Sequence, residues 1–188
     1  WWGFVEGVSA TSYAPGEDVT RGQIAAMIAR QLRTSDRTIG PVAPAGFDDT
    51  VGHLFEEDIA LLSALGIVRG VDPSTYAPDA PVTRQQFASI LVRTFDEGYD
   101  TSLPSGTVRF TDVSATSVHR GAIGALVAAE IAAGTSSTTF APGRSLTREQ
   151  TASFLTRAAT ILLAEELVAL PTSRPAPDDG YASRMRAA

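Results

Sequence analysis

The stretch that organises this chain is Val82-Thr83-Arg84-Gln85-Gln86, because the sequence contains it three times in related form. Val19-Thr20-Arg21-Gly22-Gln23 lies 63 residues before it, and Leu146-Thr147-Arg148-Glu149-Gln150 lies 64 residues after it. Each copy opens an amphipathic run of residues. A pattern that returns at a nearly constant interval is typical of a repeat architecture, so the chain is best interpreted copy by copy.

The same interval separates each stretch from an aromatic-Ala-Pro triplet, which has the composition of a turn. The triplets are Tyr13-Ala14-Pro15, Tyr76-Ala77-Pro78 and Phe140-Ala141-Pro142. Apolar residues at helical spacing then predict a helix after each stretch, and two further helices in the parts of the chain that lead to the second and third triplets. The predicted helices cover about 21–33, 53–64, 84–95, 117–129 and, ending before Pro171, 148–170.

These elements divide the chain into a partial first copy at about 1–33, a complete copy at 47–96 and a third copy at 110–163. Linkers are expected at 34–46 and 97–109, where Gly, Ser and Pro are frequent. A domain over 1–170 and a flexible tail over 171–188 follow, since the tail has no apolar periodicity. The third copy carries Glu130 where the second has Gly66, so we expect its first helix to end differently.

Composition excludes several classes of function. All 15 basic residues are Arg, and the net charge is −6, which disfavours binding to nucleic acid or to anionic lipid. No apolar run is long enough to span a membrane. The chain has no cysteine, so it has neither disulfides nor thiolate metal sites.

The Thr and Gln of each stretch form the pattern of a helix capping box. The Thr hydroxyl would accept from the backbone N–H three residues on, and the Gln side chain would bond to the Thr N–H. This structural role is sufficient to explain both residue types. The predicted capping pairs are Thr20 with Gln23, Thr83 with Gln86 and Thr147 with Gln150.

The Arg of each stretch needs another explanation, because a cation at the first position of a helix faces the positive end of the helix dipole. One possibility is structural: each Arg pairs with an acid such as Asp49 or Asp112 of a neighbouring copy. The other is functional: the guanidinium and free helix N–H groups together bind a carboxylate or another small anion. The residues alone leave both open.

A longer pattern resembles the S-layer homology repeat of bacterial surface proteins. It runs from Phe-x-Asp through an apolar helix to Leu-Gly-Ile-Val-x-Gly, then to Asp-x-x-Thr-Tyr-x-Pro and Val-Thr-Arg-x-Gln-Phe-Ala. Phe47 to Phe95 covers the whole motif, Phe110 to Ala159 covers it with weaker helix-end residues, and Phe4 to Leu32 covers its second half. In place of the Ala-Glu of the family segment, this chain has Gly-Gln, Gln-Gln and Glu-Gln.

The resemblance implies a mostly α fold, with helix–loop–helix repeats in a pseudo-threefold arrangement around a central helical bundle. It also implies a non-catalytic, extracellular module that anchors a secreted bacterial protein to cell-wall polysaccharide, often pyruvylated, through grooves between copies. Other surface proteins are further candidate partners, and no cofactor, metal or membrane insertion is expected. The implied glycan-binding residues are Arg21, Arg84 and Arg148, to which we add the in-register glycines Gly7, Gly70 and Gly134.

An alternative function is a structural assembly module that binds a protein partner, or itself, through the same grooves. An enzyme has no support in these residues, since none of the common catalytic or phosphate-binding motifs occurs. His53 and His119 do not occupy equivalent positions, and each is expected to be a surface or capping residue. The acids at Asp48-Asp49 and Glu56–Asp58 lack the spacing of a calcium loop, so they are expected to lie in solvent at helix starts.

Overall fold

The computed structural model describes residues 12–33, 35, 40 and 42–168. The prediction for Gly7 and the prediction of a tail at 171–188 lie outside these residues. Within them, the chain forms five α-helices and no β-strand, which confirms the mostly α class. The helices are α1 Arg21–Arg33, α2 Glu56–Ala64, α3 Arg84–Arg93, α4 Arg120–Ala128 and α5 Arg148–Ala164.

The helix starts at the Thr-Arg segments agree with the sequence, but other boundaries differ. Helices α2 and α4 each begin three residues later than predicted, because tight turns precede them. Helix α3 gives way to a π-helical turn at Thr94–Gly98. Helix α5 does not reach about residue 170: it ends at Ala164, followed by a left-handed Glu166 with φ of 59°.

A closed ring of three backbone hydrogen bonds joins the segments that precede α1, α3 and α5. The N–H of Val19 donates to the carbonyl of Leu146 at 2.9 Å, Leu146 donates to Val82 at 3.0 Å, and Val82 donates to Val19 at 2.9 Å. All three side chains are fully buried. The ring ties the three copies together at the helix starts, while a pseudo-threefold arrangement of the whole chain stays a prediction.

Two of the repeat helices, α1 and α3, pack against the first helix of the next copy. Helix α1 contacts α2, and α3 contacts α4. Helix α1 is buried at every position except Arg33, and Arg33 forms an ion pair with the fully buried Asp58 of α2. The apolar stripes identified in the sequence therefore form the core between copies, which explains why one copy cannot bury its apolar face alone.

Helix α4 ends in the same way as α2, contrary to the expectation from Glu130. Glu130 adopts φ of 57°, close to the 75° of Gly66. The residue after each left-handed position donates back into the helix, from Ile67 to Leu62 and from Ile131 to Leu126. The tertiary packing after the helix therefore outweighs the strain of a left-handed non-glycine residue, which is of the order of 1 kcal/mol.

The second linker is packed against the protein. The Arg120 guanidinium donates to the carbonyls of Val108 and Val113 at 2.8 and 2.7 Å. Gly106 crosses α4 at Gly124 so closely that a Cβ added at Gly106 would lie 2.1 Å from the Gly124 oxygen. A stretch rich in Gly, Ser and Pro therefore serves here as a fixed strap, because its glycine allows backbone to contact backbone.

Candidate functional site

The N-terminal N–H groups of the three repeat helices are already bonded, so they are not free to bind an anion. The first helical N–H of each donates to the turn of the next copy, from Arg21 to Ala80, from Arg84 to Arg144 and from Arg148 to Glu17, each at 2.9 Å. The second N–H donates to the proline carbonyl of an aromatic-Ala-Pro triplet. The third is met by the capping Thr.

Each capping Thr and Gln bond to one another at the start of their helix. Thr83 with Gln86 and Thr147 with Gln150 form reciprocal capping boxes. Thr20 makes the same two bonds with Gln23, both at 3.2 Å. These residues therefore hold the helix starts, which is a local structural role.

The Arg21 side chain crosses from the first copy into the second and is only 5% exposed. Its Nε donates to the carbonyl of Tyr76 at 2.8 Å, and Nη2 donates to the carbonyl of Arg69 at 2.9 Å. Its guanidinium carbon lies 4.4 Å from the centre of the Tyr76 ring. Burial raises the pKa of Tyr76 to about 12, so the ring stays neutral beneath the cation.

Arg84 repeats this geometry one copy later. Its Nε donates to the carbonyl of Phe140 at 2.8 Å, its Nη2 donates to Ala133 at 2.9 Å, and the guanidinium lies 4.4 Å from the Phe140 ring centre. Arg148 makes the equivalent contact in the third copy, where its Nε donates to the carbonyl of Tyr13 at 2.9 Å. The three arginines thus clamp each copy to the next through backbone carbonyls.

Asp49 and Asp112, considered above as possible partners of these arginines, bind backbone N–H groups instead. Asp49 accepts the N–H groups of Tyr76 and Ala77, at 2.9 and 2.7 Å. Asp112 does the same for the third copy. Burial acts to raise the pKa of Asp112, but the backbone N–H groups it accepts and the nearby Arg84 outweigh burial, so the pKa is lowered. The acids fix the aromatic turn, and the turn supplies the carbonyl that the Arg binds.

A groove of about 490 Å³ opens beside Arg21 at the junction of the three copies. We call it the Arg69 groove after its exposed cation. None of its ten lining residues carries a carboxylate, whereas three are arginines. The lining residues are Arg21, Arg69, Gly70, Val71, Gln86, Ser89, Ile90, Arg93, Val118 and His119.

The basic residues of the groove differ in their contacts and in their exposure. Arg93 donates from Nε to the carbonyl of Ile67 at 2.7 Å. The pKa of Arg93 is lowered mainly by burial, and further by the nearby charges of Arg69 and Arg21. Arg69 is exposed. Nδ1 of His119 lies 2.7 Å from the Ser89 hydroxyl. The pKa of His119 is lowered mainly by burial, and further by the charge of Arg93. The groove is therefore a region of positive potential on an acidic protein.

The predicted glycan-binding residues are only partly brought together. Arg21 and Gly70 line the same groove. A Cβ at Gly70 would lie 2.6 Å from the Phe47 ring, and one at Gly134 would lie 2.5 Å from the Phe110 ring. These glycines therefore allow a close approach of backbone and ring. Gly7 lies outside the described residues.

Sequence reasoning missed Arg69, Ser89 and Arg93 as groove residues and expected His119 to be a surface or capping residue. Arg93 has counterparts at Arg30 and Arg157, so its recurrence in the repeat was a usable signal. Arg69 has none, because the other copies carry Glu6 and Ala133 at that position. The groove joins three copies, and no local pattern in the sequence indicates which residues meet there.

The model of the S-layer homology domain matches residues 46–88 and 109–152. The chain belongs to the S-layer homology family over these two segments. The matched segments begin at the Phe-x-Asp motifs and end within α3 and α5, which confirms the resemblance found in the sequence. The interpretation of 1–33 as a truncated first copy stays a prediction.

The chain is also similar to three known proteins. The chain is 31% identical over 150 residues to an endoglucanase of Bacillus sp. (strain KSM-635), covering 79% of this chain and 15% of that protein. It is 26% identical over 157 residues to an S-layer protein of Bacillus thuringiensis subsp. finitimus, covering 82% and 18%. It is 32% identical over 97 residues to a surface-layer 125 kDa protein of Lysinibacillus sphaericus, covering 50% and 8%.

The chain thus spans less than a fifth of the length of these relatives. The family and the surface-layer relatives indicate a location at the cell surface or cell wall and support an anchoring module. Among the described helices, none combines the length and the apolar character needed to cross a bilayer.

Proposed function

We propose that this chain is a non-catalytic module that anchors its protein to a cell-wall-linked glycopolymer, with the Arg69 groove receiving an anionic group of the glycan. A pyruvyl ketal, which carries one carboxylate, is the group implied by the family resemblance. The observation that carries the proposal is the groove itself. It places Arg21, Arg69 and Arg93 around one opening with no carboxylate in its lining.

An anion in this groove would meet guanidinium groups that are already partly desolvated. Charge-assisted hydrogen bonds from guanidinium to carboxylate are among the stronger polar interactions of proteins. The exposed side chains of Val71 and Val118, at 56% and 89% exposure, border the same opening and would contact apolar parts of a sugar or its substituent. The proposed ligand is therefore an anionic sugar.

The buried arginines act in this proposal by building the groove. Arg21 binds the carbonyl of Arg69 and so fixes the backbone of the loop that carries Gly70. Arg84 and Arg148 make similar bonds across the other junctions. We propose that direct recognition of the anion depends on Arg69 and Arg93 together with the accessible part of Arg21.

Sedimentation with protein-stripped cell-wall sacculi of the organism that makes the chain tests the proposal. The parent should pellet with sacculi, and Arg69→Gln should pellet about tenfold less tightly, by analogy with the loss of one charge-assisted pair. Arg109→Gln is the matched control, since Arg109 is exposed and lies outside the groove lining. Binding by the Arg69→Gln variant equal to that of the control, or no pelleting of the parent, contradicts the proposal.

A structural assembly module is a second candidate function. It is favoured by the repeat arginines, which bind backbone carbonyls inside the chain, as expected if they serve the assembly of the copies and not a ligand. Substituting Arg84 does not separate the two functions, since its carbonyl bonds make it a stability residue in both. Sedimentation velocity of the parent without sacculi does separate them. Self-association that Arg69→Gln abolishes, together with no binding to sacculi, would favour assembly.

A further inference from the structure

We infer that His119 is a charge-dependent contact of the Arg69 groove, so that the groove holds an anion more tightly when the imidazole is protonated. This inference rests on the proposed function, since the anion in question is that of the glycan. It adds a residue that sequence reasoning assigned to the surface or to a cap, and it adds a dependence of binding on pH.

The position of His119 supports a contact with a ligand. The residue directly precedes α4, its side chain makes no capping bond to that helix, and its ring lines the groove. Nδ1 lies 2.7 Å from the Ser89 hydroxyl of α3. A hydroxyl can donate to the neutral ring or accept from the protonated one, so Ser89 holds the ring in both states.

The charged side chains that line the groove together with His119 are all arginines. Arg93 belongs to α3, Arg69 to the loop of the second copy and Arg21 to the start of α1, and Arg93 is near enough to lower the pKa of His119. On its own helix, Arg120 directs its guanidinium to the carbonyls of Val108 and Val113. In the protein alone, an imidazolium at this position is thus opposed by burial and by Arg93.

An anion that enters the groove reverses this balance. Its charge stabilises the imidazolium, so binding raises the pKa of His119 and protonation in turn strengthens binding. The pKa in the free protein lies below its usual value of 6.5. Affinity should therefore rise as the pH falls below about 6.5. The carboxylate of the ligand stays charged there, because such groups titrate at about pH 3.5.

Among the junctions between described residues, this arrangement of Arg69 and His119 occurs at one groove. The residue equivalent to His119 in the second copy is Phe55, which is 1% exposed and part of the core. The residue equivalent to Arg69 in the third copy is Ala133. Within the part of the chain that the structure describes, a response to pH would therefore be carried by the Arg69 groove, even if the other junctions also bind glycan.

Binding isotherms of the parent and of His119→Gln to stripped sacculi, at about pH 7.5 and about pH 5, test this inference. The parent should bind about tenfold more tightly at the lower pH, which corresponds to a rise of about one unit in the pKa of His119 on binding. The glutamine variant keeps a polar group beside Ser89 and should bind equally at both values. Comparing the two proteins removes any titration of the wall polymer itself, and circular dichroism verifies that both are folded.

The outcomes separate this inference from the proposed function. If the parent pellets at both pH values and its pH dependence equals that of His119→Gln, the role of His119 is wrong and the anchoring function stands. If the parent pellets at neither value, the anchoring function fails and this inference fails with it. NMR titration of His119 gives a second readout: adding solubilised wall polymer should raise its pKa.

Discussion

The junction of copies one and two and the junction of copies two and three share their backbone geometry but differ in their groove chemistry. Arg21 and Arg84 make the same two carbonyl bonds, at 2.8 and 2.9 Å, and lie equally far above an aromatic ring. The exposed cation next to the first junction is Arg69, whereas the second junction has Ala133. The arginine that repeats is thus the clamp, and the two junctions differ in the residue that is exposed beside it.

This comparison changes the meaning of the repeated motif. An arginine in every copy would be expected to mark a binding residue in every copy. The structure shows instead that Arg21 and Arg84 are 5% and 4% exposed and bonded to carbonyls. For Arg21 and Arg84 recurrence therefore accompanies a role in joining copies, whereas the position of Arg69, which differs between copies, is a candidate for specificity.

The largest expected effect is the loss of a clamp. Arg84→Ala should lower the free energy of unfolding by about 4 kcal/mol, because two hydrogen bonds to a charged group are lost and buried carbonyls are left without donors. Arg21→Ala should cost a similar amount, since the geometry is the same. Urea denaturation measures both.

The control for the clamp is Arg109→Ala at an exposed position, which should change the free energy of unfolding by no more than about 0.5 kcal/mol. A difference of more than about 2 kcal/mol between Arg21→Ala and Arg84→Ala would show that the two junctions are not energetically equivalent.

The glycines beneath the aromatic rings give the next largest effect. Gly70→Ala and Gly134→Ala should each cost about 3 kcal/mol, since the added methyl would lie within 2.7 Å of two carbonyl oxygens and a ring carbon in both copies. Thermal unfolding followed by circular dichroism measures the loss. Gly121→Ala provides a matched control, because nothing lies within 4 Å of its added Cβ; a control as unstable as the two variants would contradict the steric explanation.

Adding an arginine at position 133 tests whether the exposed cation accounts for the difference between the two junctions. Ala133→Arg places a guanidinium at the position equivalent to Arg69, so it should raise affinity for sacculi by a few-fold to about tenfold. In the Arg69→Gln background the same change should restore part of the lost binding. The isotherms described above measure it, and the double variant binding no better than Arg69→Gln alone would show that the second junction lacks more than a cation.

The smallest expected effect concerns the two left-handed helix ends. Glu130→Gly should stabilise the protein by about 1 kcal/mol, because Glu130 holds φ of 57° that glycine adopts without strain. Gly66→Glu should destabilise it by about the same amount. Urea denaturation of both variants tests the symmetry of the two copies at this point, and a destabilising Glu130→Gly would mean that the Glu side chain contributes more than its backbone strain costs.

Much of the fold could be predicted because its signals are local. The Thr-Arg-x-Gln segments located the starts of α1, α3 and α5, since a capping box needs only residues three apart. The apolar stripes identified the faces that join the copies. The ends of α3 and α5 were less predictable, because a π-helical turn at Thr94–Gly98 and a left-handed Glu166 depend on contacts made by the chain beyond them.

The candidate site was less predictable than the fold. Arg21 and Gly70 were identified from the sequence, but they are 49 positions apart and share a groove only because the ring of Val19, Val82 and Leu146 brings the copies together. Arg69 and His119 have no counterpart in the other copies, so the repeat itself directs attention away from them. Asp49 and Asp112, which were one of two possible partners considered for the arginines, bind backbone N–H groups instead.

The sequence by itself determined the repeat, its helix starts, its apolar faces and its family, because capping and periodicity are properties of neighbouring residues. The tertiary structure decided that the repeated arginines are clamps and that one junction gathers three arginines and a histidine. Those outcomes depend on which carbonyls and cations meet across copies, and the distances that determine them exist only once the chain is folded.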